Sequence, residues 1–218
     1  MHVLVLASRK GGVGKTTLSG HLAVEAERAG VGVVALIDTD PQAGLTGWWK
    51  VRVSESIPMI NVLPAGLGAT LRELEAAGID LVVIDTPPSI TASISETVRH
   101  ADLVVIPAKP SPHDLRAVGA TVDIVEAERR PLVFVVNQAT GRAKITGDAA
   151  VALSQHGTVA PSTLHHRVDF AVSMTDGRTA VELDPKSKSA AEVSALWLYL
   201  ADRLERIRRN AAAAANPA

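Results

Sequence analysis

With 218 residues, 47% of them hydrophobic, the chain is long enough to bury one α/β core and has no need of a second. A net charge of −1 excludes a generally basic nucleic-acid-binding protein, so any such contact must come from a local patch. The lack of cysteine excludes a disulfide framework and cysteine-ligated zinc or iron–sulfur centres, and it suits a reducing cytoplasm. Met1-His2 runs directly into an apolar stretch with no signal-peptide pattern, and no run reaches the ~18 apolar residues of a membrane span. A soluble, cytoplasmic protein is expected.

The first predicted element is an apolar strand, Val3-Leu4-Val5-Leu6-Ala7. Ser8-Arg9-Lys10-Gly11-Gly12-Val13-Gly14-Lys15-Thr16-Thr17 follows, and the spacing of Leu18, Leu22 and Ala26 predicts a helix stopping at Gly30. Strand, glycine-rich loop and helix in that order aim loop N–H groups and the positive helix end at one place, which suits a polyphosphate. In such a loop Lys15 reaches the β- and γ-phosphates and the Thr16 hydroxyl ligates Mg²⁺. The ordinary P-loop has a glycine where this chain has Arg9, and a second lysine, Lys10, stands directly before Gly11-Gly12.

Gly32 to Ile37 reads as a buried strand running into Asp38-Thr39-Asp40-Pro41-Gln42, at the strand end where open α/β sheets place ligands. Ala43 to Gly68 carries little pattern; Trp48-Trp49 reads as a short helix burying its rings or as a binding platform. Leu71, Leu74 and Ala77 predict a helix ending at Gly78. Leu81-Val82-Val83-Ile84 is a strand ending in Asp85 before Thr86-Pro87-Pro88, the pattern of a Walker B box. There Asp85 would hold Mg²⁺ while the following loop senses the γ-phosphate. A helix through Ile94, Val98 and Ala101, a strand over Leu103–Pro107 and a helix through Leu115, Val118, Val122 and Val125 come next. Strand Leu132–Val136 ends at Asn137-Gln138, and Thr158-Val159-Ala160 reads as a short last strand.

This alternation predicts a doubly wound, mostly parallel sheet flanked by helices, a single domain over residues 1–209 and a disordered tail over 210–218. The last helix carries Val193, Leu196, Trp197, Leu200, Leu204 and Ile207 on one stripe, with Arg203, Arg206, Arg208 and Arg209 elsewhere. From Lys186 to Arg209 there are six basic and three acidic residues, which reads either as a duplex-phosphate contact or as a solvated helix face. The seven histidines show no metal-ligand spacing; His165-His166 beside Arg167 are loop residues or part of a basic surface.

Lys10-Gly11-Gly12-Val13-Gly14-Lys15-Thr16-Thr17 resembles the deviant Walker A box of the ParA/MinD group of P-loop ATPases. Asp38–Gln42, the strand ending at Asp85 and Asp184-Pro185-Lys186-Ser187-Lys188 follow in that group's order, so the resemblance covers nearly the whole chain. It is nearest to small ParA-type partition ATPases without an N-terminal DNA-binding domain. The resemblance implies binding of ATP or ADP with Mg²⁺ by residues 10–17, with Asp40 orienting the attacking water and Asp38 supporting the magnesium shell with Thr16 and Asp85. It also implies that Lys10 reaches the partner's nucleotide in an ATP sandwich homodimer, and that Asn137 and Pro185 lie against the adenine. Nonspecific double-stranded DNA would be held through Arg167, Lys186, Lys188, Arg203, Arg206 and Arg209, on the nucleoid and without stable membrane association, and a ParB-like protein would activate hydrolysis. Competing readings are a MinD-like ATPase on the membrane surface, disfavoured by an apolar stripe that stops at Ile207, and an amide-forming synthetase on the same fold.

Overall fold

The computed structural model describes residues 1–88 and 91–215. Among these residues six strands lie in one sheet: β1 (His2–Leu6), β2 (Val34–Asp38), β3 (Met59–Asn61), β4 (Leu81–Asp85), β5 (Leu103–Ala108) and β6 (Leu132–Val136). Their order is β3-β2-β4-β1-β5-β6 and every pairing is parallel. The helices are α1 (Lys15–Arg28), α2 (Gly44–Lys50), α3 (Leu67–Ala76), α4 (Thr91–Val98), α5 (Pro112–Ala127), α6 (Lys144–Ser154), α7 (Val168–Ser173), α8 (Ala180–Leu183) and α9 (Lys188–Ala215). β1 is central, with connections crossing to one side of it for β2 to β4 and to the other for β5 and β6. This is a doubly wound P-loop fold, and its switch point lies at the carboxyl end of β1.

Alternate side chains of each strand enter opposite cores. Leu4, Leu6, Leu36, Val83 and Val105 pack with Leu18 and Leu22 of α1 and with Leu196, Trp197 and Leu200 of α9. Val3, Val5, Ile37, Val82, Ile84 and Val104 pack with Leu67 and Leu71 of α3, Ile94 and Val98 of α4, and Val118 and Val122 of α5. A strand covered on both faces has no polar side, which is why these strands read as unbroken apolar runs. α1 and α3 are followed by Gly30 and Gly78, both at positive φ, as the stop signals require.

The structure departs from the sequence reading in three places. β3 lies in the stretch that carried no pattern; a three-residue edge strand is too short to show a period. Thr158–Ala160 is no strand: Val159 makes a single parallel bridge to Phe134. Residues 210–215 of the expected disordered tail continue α9 as helix, because five alanines after Asn210 have the highest helix propensity; 216–218 lie outside the described residues. Trp48 is buried by α2 and Trp49 is half-buried, its indole N–H donating to Ile57 O at 2.7 Å. Among the described residues no helix is long and apolar enough to cross a membrane.

Candidate active site

The loop between β1 and α1 borders a cleft of about 320 Å³ lined by Gly11, Gly12, Gly14, Lys15, Thr16, Thr17, Asp40, Thr86, Pro88 and Gln138. α1 begins without a side-chain cap, so its first-turn N–H groups stay available to an anion. Gly14 is held at φ 93, and a Cβ there would stand 2.4 Å from Asn137 Nδ2, so conformation and space both demand glycine. Lys15 is buried, and desolvation lowers its pKa against the pull of Asp85 and Asp40, which raises it. Lys10 is exposed beside the cleft; its backbone N–H donates to Ser8 Oγ at 3.2 Å, and that of Arg9 to Thr121 Oγ1 at 3.1 Å.

Register sets the carboxylates. β2 and β4 pair so that Asp38 stands opposite Asp85, and both follow residues of the α1-side core by two positions, so both point toward α1. Thr16 Oγ1 donates to Asp85 Oδ2 at 2.6 Å. Asp85 is fully buried, and burial pushes its pKa up to about 7 even though the Thr16 hydrogen bond and Lys15 lower it. Its Oδ1 has no hydrogen-bond partner among the described residues. A buried, unpartnered carboxylate oxygen beside a hydroxyl is a hard-oxygen donor set, and it fits Mg²⁺ held with phosphate oxygens and water. Asp38 is engaged otherwise: Oδ1 accepts from Asp40 N at 3.0 Å, and Oδ2 accepts from Thr46 N and Thr46 Oγ1, each at 2.9 Å. Asp40, half-buried at the cleft wall, accepts from Gln42 N at 2.9 Å. Thr46 Oγ1 also lies 2.5 Å from Asn61 Oδ1. Sequence reasoning missed Thr46 and Asn61, because nothing local marks a contact between α2, β3 and a strand end eight or more residues apart.

A second cavity of about 310 Å³ adjoins the first, sharing Gly14, Thr17 and Gln138 and adding Leu18, Asn137, His165, His166, Arg167, Phe170, Ala171 and Met174. A polar cleft at the loop and a neighbouring cavity walled by Phe170 and Met174 have the division of a triphosphate and its nucleoside. Asn137 lines this cavity, and its amide is bonded to the loop: Nδ2 donates to Val13 O at 2.7 Å, and Oδ1 accepts from Gln138 N at 2.9 Å. Pro185 is exposed and does not line this cavity. His21 ties the cavity wall to α1. Its Nδ1–H donates to Thr17 O at 2.7 Å, and Nε2 accepts from Ala180 N at 3.1 Å and lies 3.3 Å from Ser173 Oγ, whose hydroxyl donates to Phe170 O. Burial lowers its pKa to about 4, so the imidazole is neutral.

The expected DNA contacts do not form one patch. Arg167 is on the cavity wall, its Nη2 paired with Glu192 Oε1 at 2.5 Å, and His165 Nδ1 meets the same oxygen at 2.8 Å. Lys186 and Lys188 are exposed near the start of α9. Arg206 pairs with Asp202 at 2.8 Å, and Arg209 Nε donates to Glu205 O at 3.4 Å. Arg203 is half-buried, its Nε without a partner among the described residues. Eighteen residues of helix separate Lys188 from Arg206, about 27 Å.

A parallel sheet whose first loop opens α1 onto Lys15, Thr16 and Asp85 defines a P-loop nucleotide-binding protein. Residues 4–179 match the CobQ/CobB/MinD/ParA nucleotide binding domain. The chain is 29% identical over 198 residues to maintenance of carboxysome distribution protein A of Halothiobacillus neapolitanus, covering 87% of this chain and 91% of that protein. It is 30% identical over 225 residues to the chromosome-partitioning ATPase Soj of Thermus thermophilus, covering 86% and 90%. The fold superposes with a TM-score of 0.77, at 17% identity, on the septum site-determining protein MinD of Pyrococcus horikoshii complexed with Mg-ADP, over 90% of this chain and 94% of that one. The chain belongs to the MinD/ParA family of P-loop ATPases.

Proposed function

We propose that this chain is a ParA-type positioning ATPase that dimerises around ATP, binds nonspecific duplex DNA when loaded, and releases it on hydrolysis to distribute a cargo. The observation that carries the reading is the meeting of Lys15, Thr16 and Asp40 at one cleft, with Asp85 bonded to Thr16; the exposed Lys10 directly precedes the cleft-lining Gly11. Similarity along almost the whole chain to proteins named for carboxysome distribution and chromosome partitioning supports a positioning role.

In this reading the loop N–H groups and Lys15 hold the triphosphate, and Lys10 meets the γ-phosphate bound by the second protomer. Asp40 orients a water in line with the γ-phosphate, and Asp38 holds the Asp40 backbone through Oδ1. Thr16 and Asp85 would hold Mg²⁺, which neutralises charge building on the phosphate oxygens. DNA contact falls to the exposed cations Lys186, Lys188, Arg206 and Arg209. A ParB-like partner is the expected activator, and the nucleoid the expected site of action.

The test is sedimentation of Asp40→Ala protein with nonspecific duplex DNA or anionic liposomes, each with ATP and with ADP. ATP-dependent DNA binding that fades between low and moderate salt is expected. Liposome binding, or binding to neither, overturns the reading.

A further inference from the structure

We infer that Asn137 and Gln138 are positioning residues for the phosphate loop, holding its peptide planes so that the loop binds phosphate, and that their deletion weakens phosphate binding whatever base is attached. The inference rests on the nucleotide reading above and assigns to this pair a role separate from base recognition.

Two side-chain amides at the end of β6 grip successive carbonyls of the loop. Asn137 Nδ2 donates to Val13 O at 2.7 Å, and Gln138 Nε2 donates to Gly12 O at 3.1 Å. In a planar trans peptide the C=O and the next residue's N–H point to opposite sides. Anchoring the carbonyls of Gly12 and Val13 on β6 therefore turns the N–H groups of Val13 and Gly14 to the other side of the loop, as an anion-binding nest requires. An unanchored Gly-Gly-Val-Gly run has the freedom to rotate those peptides and scatter the N–H directions.

Four further observations agree. Asn137 is itself fixed, buried and accepting from Gln138 N at 2.9 Å, so both ends of its amide are defined and its donor end faces the loop. Gln138 is held at φ 54, a left-handed conformation rare for a residue with a side chain, and that turn brings its amide back over the loop. The space where Gly14 would carry a Cβ is occupied by the two amides, with Asn137 Nδ2 at 2.4 Å and Gln138 Nε2 at 3.4 Å. Gln138 also borders both cavities, so the clamp sits where triphosphate and nucleoside meet.

The experiment measures displacement of a fluorescent ATP analogue by ATP and by inorganic tripolyphosphate, with Mg²⁺, from the wild type, Asn137→Ala and Gln138→Met. The Asn137→Ala chain is expected to lose ~tenfold in affinity for both ligands by the same factor, the loss of about one hydrogen bond to an ordered loop. Gln138→Met, at a more exposed position, gives a smaller parallel loss with an unchanged melting temperature and carries the test if Asn137→Ala does not fold. Loss for ATP with tripolyphosphate unaffected makes the pair a base contact and overturns the proposal. A wild type that binds neither ligand removes the nucleotide reading itself, and the proposal with it.

Discussion

Thr16 and Asp85 meet at the carboxyl edge of the sheet, where the Thr16 hydroxyl donates to one oxygen of a carboxylate whose other oxygen is buried without a partner among the described residues. Burial lifts the pKa of Asp85 to about 7, from the ordinary ~3.9 of an unfolded chain. Between those values the folded protein keeps a proton that the unfolded one has lost, so this group's contribution to stability falls as pH rises from about 4 to about 7. Asp85→Asn removes the dependence. Without nucleotide, the variant should melt above the wild type at pH 8 and level with it near pH 4, as read by calorimetry, while magnesium-dependent ATP turnover is lost. A wild type that is the more stable at pH 8 would contradict a buried charge whose desolvation outweighs the help of Thr16 and Lys15.

Asp40 sits on the wall of the phosphate cleft with its backbone N–H fixed by Asp38. Asp40→Ala should lower the ATPase rate by ~10²-fold or more and leave ATP affinity within a few-fold. Phosphate release and equilibrium binding decide this together, and normal turnover would dismiss the assigned role.

Thr46 reaches Asp38 through both its backbone N–H and its hydroxyl. Thr46→Val keeps the shape and removes the hydroxyl, so Asp38 and the Asp40 turn loosen together. A fall of ~tenfold in kcat with little change in KM is expected, recovered by Thr46→Ser. An equal loss in the serine variant would point to packing instead.

Lys10 is exposed and directly precedes Gly11, which lines the cleft. The Lys10→Ala chain should bind ATP and remain a monomer in analytical ultracentrifugation, whereas Asp40→Ala with ATP should sediment as a dimer. An ATP-dependent dimer of Lys10→Ala would refute the contact between protomers.

Most of the fold was legible because parallel strands and amphipathic helices carry their own periods: the strands at Val3, Leu81, Leu103 and Leu132 and the buried stripe of α9 stand where the pattern put them. β3 and Val159 were not, one being too short and the other a lone bridge. In the site, Lys15, Thr16 and Asp85 were readable because a loop and two strand ends converge by topology. The engagement of Asp38 by Thr46, of Asn137 by Val13 and of Arg167 by Glu192 depends on side-chain reach across long separations. Residue type and spacing contain no trace of it.

The pairing of Asp38 with Asp85 across β2 and β4 has a consequence for how the molecule tolerates change. Both acids take their direction from strand parity, so a slip of one residue in either strand would turn its acid to the opposite layer. The aim of the chemistry is thus guarded by the two apolar interiors and not by the connecting segments. Residues 53–56 and 140–142, which are exposed and lie outside those interiors, are where length and composition can change without turning either acid.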